Sequence, residues 1–315
     1  MLKFGQRRTL TRLGAGNHGR VISGVVLIMI AIGPTTGSSH GFAGDRFFPP
    51  TIQTDDPFTT DELAFPTLST FKNPDTPSTR ETDLGFDFSK EIFPKFALGI
   101  EAEYIHLSQN GMPSENGFNN INLSAKYRLW LNAPHEAIIS LGAEWEIGGT
   151  GSSKVGASSA HTFTPILYYG KGLGDLPESL NYIRPFAVTG TLGQTFPTEA
   201  EPNTFEWGFA VEYSLPYLQA QVKNLGLPAP FKSMIPLVEF SFSTPENHGG
   251  GPTTGTINPG ILWGNRHLQV GAEAIIPLNT ATGSEVGAIL RVQFFIDDLL
   301  PRWFGHPIFS NKQAD

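Results

Sequence analysis

The chain has 315 residues, no cysteine and a formal net charge of −8 at pH 7. An acidic balance lacks the basic footprint that nucleic-acid binding needs, and without cysteine no disulfide framework holds the fold. Beyond the first residues no apolar run reaches the ~18 needed for a helix to cross a membrane.

Residues 1–43 read as an export signal. Lys3, Arg7, Arg8, Arg12 and Arg20 form a positive n-region, Val21–Ile32 is a 12-residue apolar core, and Gly41 and Ala43 place small residues at −3 and −1 of a cleavage point before Gly44. The twin arginines Arg7–Arg8 are followed by residues that fit twin-arginine export poorly, so ordinary secretory export is expected. The signal holds five basic and no acidic residues, so the remaining chain carries 16 basic against 29 acidic groups, a formal charge of −13. Residues 44–62 show no strand pattern; they read first as a periplasmic tail, with a plug folded into a lumen as the alternative.

From there the chain alternates with period 2, the signature of strands with one apolar face. Residues 63–72 and 84–89 open the series. Phe96, Leu98, Ile100, Ala102 and Tyr104 then share a face, opposite Glu101 and Glu103. In 120–131, Ile121, Leu123, Ala125, Tyr127, Leu129 and Leu131 oppose Asn122, Ser124, Lys126 and Arg128. In 137–147, Ile139, Leu141, Ala143, Trp145 and Ile147 oppose Ser140, Glu144 and Glu146. Weaker segments follow near 160–170, 182–195 and 256–264. Clear ones carry Trp207–Tyr213, Val238–Phe242, Leu268–Ile276 and Val286–Phe294.

That gives about twelve strands, and an even count follows if both termini lie on one side. Polar loops near 73–81, 108–116, 150–160, 196–204, 245–255 and 279–283 alternate with shorter or apolar links, as in a barrel with long outer loops and short periplasmic turns. The expected fold is all-β: a single antiparallel up-and-down transmembrane barrel over 63–297, with a periplasmic tail at 298–315.

A soluble β-sandwich also alternates. Two features favour the membrane. Many strands run to 10–13 residues, near the ~9–11 of a tilted membrane strand rather than the ~5–6 of a typical one. Aromatic residues (Tyr104, Tyr127, Trp130, Tyr168, Tyr169, Tyr213, Trp263) also fall near strand ends, where interfacial girdles lie. Glu285, Gly287, Leu290, Val292 and Phe294 resemble the final-strand signal read by barrel assembly machinery, although a tail follows here.

Thr54-Asp55-Asp56-Pro57-Phe58-Thr59, the stretch Gly117–Leu129 (GFNNINLSAKYRL) and Arg184-Pro185-Phe186-Ala187 resemble the bacterial outer-membrane proteins grouped as "MetA-pathway of phenol degradation" putative transporters. Asn119-Asn120 stands where that family usually has Gly-Asp. The resemblance implies a roughly twelve-stranded barrel in the outer membrane that passes hydrophobic or aromatic compounds.

With the apolar faces on lipid, the charged faces line a lumen. Asp87, Glu101, Glu103, Lys126, Arg128, Glu144, Glu146, Glu206, Glu212, Glu239, Glu273 and Arg291 are the expected lining, with acid, base and acid on the three neighbouring strands around 101–103, 126–128 and 144–146. They brace the wall, set selectivity for a small-molecule permeant, or do both. The enzyme alternative rests on His106 and Ser108, two apart on an outer strand end, with Asn119 as a third member; outer-membrane phospholipases are similar in using His-x-Ser and an Asn. A structural barrel with a closed lumen is the remaining alternative. No cofactor and no metal site are expected, since the histidines are scattered singly.

Overall fold

The computed structural model describes residues 41–199, 201–247 and 250–309. The expected export signal lies outside them, apart from Gly41–Ala43.

Alternation becomes a closed wall. The strands are β1 (Glu62–Lys72), β2 (Thr79–Phe93), β3 (Phe96–Gln109), β4 (Ile121–Asn132), β5 (Ala137–Ile147), β6 (Thr162–Gly172), β7 (Phe186–Pro197), β8 (Thr204–Tyr213), β9 (Met234–Pro245), β10 (Thr254–Gly264), β11 (Leu268–Pro277) and β12 (Gly287–Phe295). Each pairs antiparallel with the next, and β12 returns to β1, for example Leu290 opposite Leu68. The circle leaves no open edge, which is how a sheet satisfies its backbone in lipid. The short strand Glu115–Phe118 folds back on the far end of β3, where Asn116 accepts from the Tyr104 hydroxyl at 2.7 Å. The strand 63–72 and the weakly alternating segments are all wall strands.

Exposure along each strand is inverted relative to a soluble protein. Leu98, Leu129 and Trp145 stand 44%, 55% and 47% exposed, whereas Ser140, Glu239 and Asn258 are fully buried. Polar residues inside and large apolar ones outside are stable only if the outer medium is hydrocarbon. The chain is a transmembrane β-barrel.

The links at the end where β1 starts and β12 finishes, the terminal end, include Pro94-Lys95, Ala133–Glu136 and the Asn265–His267 turn. Two longer ones, 173–185 and 214–233, cross the same end; the second contains the short helical stretches Leu215–Tyr217, Leu218–Val222 and Phe231–Ser233.

Candidate functional site: the barrel interior

Residues 41–61 do not hang free as a tail. They run into the barrel, and the wall holds them largely by their backbone. The Glu239 carboxylate accepts the N–H groups of Ile52, Gln53 and Thr54 at 2.6, 3.0 and 2.6 Å. Arg291 donates to the carbonyl of Thr51 and Gln269 to that of Pro50, at 2.9 and 2.7 Å. Lys126 donates to the carbonyl of Asp56 and pairs with the carboxylate of Asp55, both at 2.7 Å. Ser140 donates to the carbonyl of Pro57. The reason is chemical: an irregular segment cannot pair its backbone with itself, so inside a barrel the wall side chains must supply donors and acceptors.

At the terminal end, Phe42–Ala43 and Arg46–Phe47 form a two-rung ladder. Arg46 is fully buried. It pairs with Glu136 at 3.1 Å, donates to the carbonyls of Pro185 and Arg184, and stacks 3.8 Å over the Tyr217 ring. Glu136 also accepts from Gly174 N–H and the Tyr217 hydroxyl, at 2.9 and 2.8 Å. Burial, and then that hydrogen bond to a carboxylate, push the Tyr217 phenol up to about 12. A guanidinium here is paired, stacked and fully hydrogen-bonded, as a buried charge must be. This cluster ties the segment to three separate links at the terminal end.

The interior is unevenly lined. On β9–β12, Ile235, Leu237, Leu262, Ile275 and Ile289 form an apolar cluster around Ile52, and the same strands bury Glu239, Asn258 and Glu273. Asp87, Glu101, Asn122, Glu144, Glu206 and Arg291 line a cavity of about 60 Å³ beside Ile52, Gln53 and Asp55. That is room for a handful of waters and too little for a solute of any size.

The expected rows of acid, base and acid do not face one another. Register places Glu101 opposite Asn122 and Asn122 opposite Glu146, whereas Lys126 lies opposite Ala97 and Gly142. Tilted strands are staggered, so equal distance from a turn does not mean adjacency. The Asn122 amide bridges Glu101 and Glu144 at 3.3 and 3.2 Å. Glu103 is met by the Asn119 amide at 3.3 Å. Lys126 turns to the N-terminal segment, and its amine sits 4.5 Å from the Tyr168 ring centre. Arg128 lies opposite the buried Ser140 and so on the inner face. Glu212 and Glu273 are buried on β8 and β11.

The hydrolase arrangement is not assembled. Asn119 is committed to Glu103 and to Asn120 N–H. His106 lies opposite Thr82 and Asn116, and Ser108 opposite Arg80. Among the described residues no hydrogen bond joins His106, Ser108 and Asn119. His-x-Ser here is two ordinary outer-face residues of one strand.

Sequence reading missed the wall's grip on 41–61. Its signal was indirect: Phe47, Phe48, Pro49 and Pro50 are too apolar for a solvated tail.

No family model matches the chain, and no curated protein matches it. Solved structures do. A COG4313 outer membrane channel from Pseudomonas putida F1 is 11% identical over 78% of this chain and 99% of its own, with a TM-score of 0.53. The KdgM porin gives 12%, 74%, 98% and 0.42. The outer membrane phospholipase A of Escherichia coli gives 8%, 81%, 95% and 0.36. The likeness is one of fold: a closed antiparallel barrel of the bacterial outer-membrane type. The apolar exterior fits that location.

Proposed function

We propose that the protein is a passive outer-membrane channel for small molecules, closed in this structure by its own N-terminal segment. One observation carries the reading. The wall's side chains do not fill its centre; a separate stretch of chain does, with a polar cavity beside it. A barrel built only as a scaffold fills with side chains of its own wall, as eight-stranded ones do.

Both termini are taken as periplasmic, with the long polar loops outside the cell, in line with the usual asymmetry of such barrels. Moving 41–61 exposes a lumen lined by an apolar cluster and by acidic groups. That suits small amphipathic solutes, an aromatic or aliphatic body with a polar or cationic group. Aromatic compounds are the first to test, given the resemblance of 54–59 and 117–129 to the phenol-degradation transporters.

The test is conductance in planar bilayers. The full chain should conduct little, and an Arg46→Ala, Glu239→Ala double variant should open several-fold more often or wider. If neither conducts and neither admits solutes into vesicles, the closed structural barrel replaces the channel.

A further inference from the structure

The start of β1 and the described tail after β12 meet at one corner of the barrel. β1 starts at Glu62, opposite Ser89, so the edge of β2 beyond Ser89 has no β1 partner. The C-terminal tail takes that edge. Ile308 N–H donates to the Glu91 carbonyl at 3.3 Å and Phe309 N–H to the Ile92 carbonyl at 2.9 Å.

The tail is on the outer surface. Phe88 lies opposite Ile100 and Lys90 opposite Leu98, and those two partners are lipid-facing and exposed. Phe304 packs edge-on against Phe88, with centroids 6.3 Å apart, and the Lys90 amine sits 5.7 Å from the Phe304 ring centre. Phe309 stacks on Phe93 at 5.3 Å. The helical turn Ile296–Leu299 is fixed by Asp298 to Arg266 of the neighbouring turn, at 2.6 Å.

What remains open on this tail is strongly apolar. Trp303 is 77% exposed, Phe309 60%, Ile308 55% and Leu300 50%. The patch continues directly into the lipid-facing wall through Phe93 and Phe96, and basic Lys95 and Arg302 flank it. Aromatic rings next to cations, at the rim of an apolar belt, match the headgroup level of a phospholipid leaflet.

We propose that residues 299–309 form an interfacial anchor seated in the periplasmic leaflet, with glycerophospholipid as its partner. The anchor reaches the N-terminal segment as well. Asp61 accepts from Gly305 N–H at 3.0 Å, from Glu91 N–H at 2.6 Å and from the Lys90 amine at 2.5 Å. Asp61 is the last residue before β1, so the tail holds the point where the segment that fills the lumen joins the wall. The lipid contact itself does not depend on transport and stands whether the lumen opens or not.

The chain has no cysteine, so one introduced thiol is a unique label site. The full-length protein is folded into vesicles of phosphatidylethanolamine and phosphatidylglycerol with a fluorophore at Ile308→Cys or, separately, Trp303→Cys. Leu98→Cys reports the lipid-facing wall, and Asp75→Cys the far loop. Lipid-borne nitroxide should quench both tail labels to roughly half or more of the Leu98→Cys level, and iodide should quench them several-fold less than Asp75→Cys. If both tail labels behave like Asp75→Cys while Leu98→Cys reports an inserted wall, the anchor is wrong and the patch is left for a protein partner. Loss of lipid quenching at one position only, with the other unchanged, supports the anchor and narrows it to the protected residue.

Discussion

At the scale of single residues, the interior follows a rule of size. Each large inward charge has a small residue opposite it on one neighbouring strand: Glu212 opposite Ala187, Glu239 opposite Ala210, Glu273 opposite Gly260 and Arg291 opposite Gly271. A Cβ at Gly260 would come within 2.3 Å of the Glu273 side chain. Gly260→Val should therefore destabilise the barrel by about 1–3 kcal/mol through overpacking, read as a lower urea midpoint. Glu239→Ala leaves three N–H groups without their acceptor. It should loosen residues 52–54 by about 3 kcal/mol, roughly a hundredfold faster amide exchange there with the wall little changed. Ser108→Ala should alter no lipid or ester hydrolysis, because among the described residues no imidazole is hydrogen-bonded to Ser108; an activity abolished by this change would restore the enzyme reading. The inward direction of Glu239 and Glu273 was legible from alternation alone. Their partners were not, because a partner depends on register, and register is set by stagger and link length rather than by local pattern.

At the scale of elements, the strands were the readable part. A membrane wall imposes period 2 over long stretches, and β4 displays it from Ile121 to Arg128, up to the register shift before Trp130. The strand at 63–72 was faint, since Pro66 and Thr67 interrupt it and its register with β2 shifts between Ala64 and Thr67. The N-terminal segment was legible only as two alternatives, a tail or a plug, and its contacts were not. Its contacts come from β4, β5, β9, β11 and β12, and nothing in its own sequence encodes five distant donors and acceptors. The wall predicts a depth-dependent cost for charge. Ile100 faces outward near mid-strand, so Ile100→Arg should cost about 2–4 kcal/mol in a bilayer, checked by reversible unfolding from vesicles. A similar loss for the same protein in water-filled detergent-free aggregates would carry no such depth signal; the comparison that matters is Ile100→Arg against Phe96→Arg, with the rim position expected to be the milder.

At the scale of the whole molecule, closure is the feature with the widest reach. The last strand pairs with the first, Phe294 opposite Leu63 and Ala288 opposite Thr70. Neither edge is satisfied until β12 is in place, so the wall is an open ribbon while its earlier strands form. The stretch that fills the lumen precedes β1 in the chain. It can be enclosed as the ribbon curls around it, instead of being threaded into a finished cylinder. Chain order is thus compatible with an order of assembly: contents first, wall next, and last the C-terminal tail that meets Asp61 at the point where the contents join the wall.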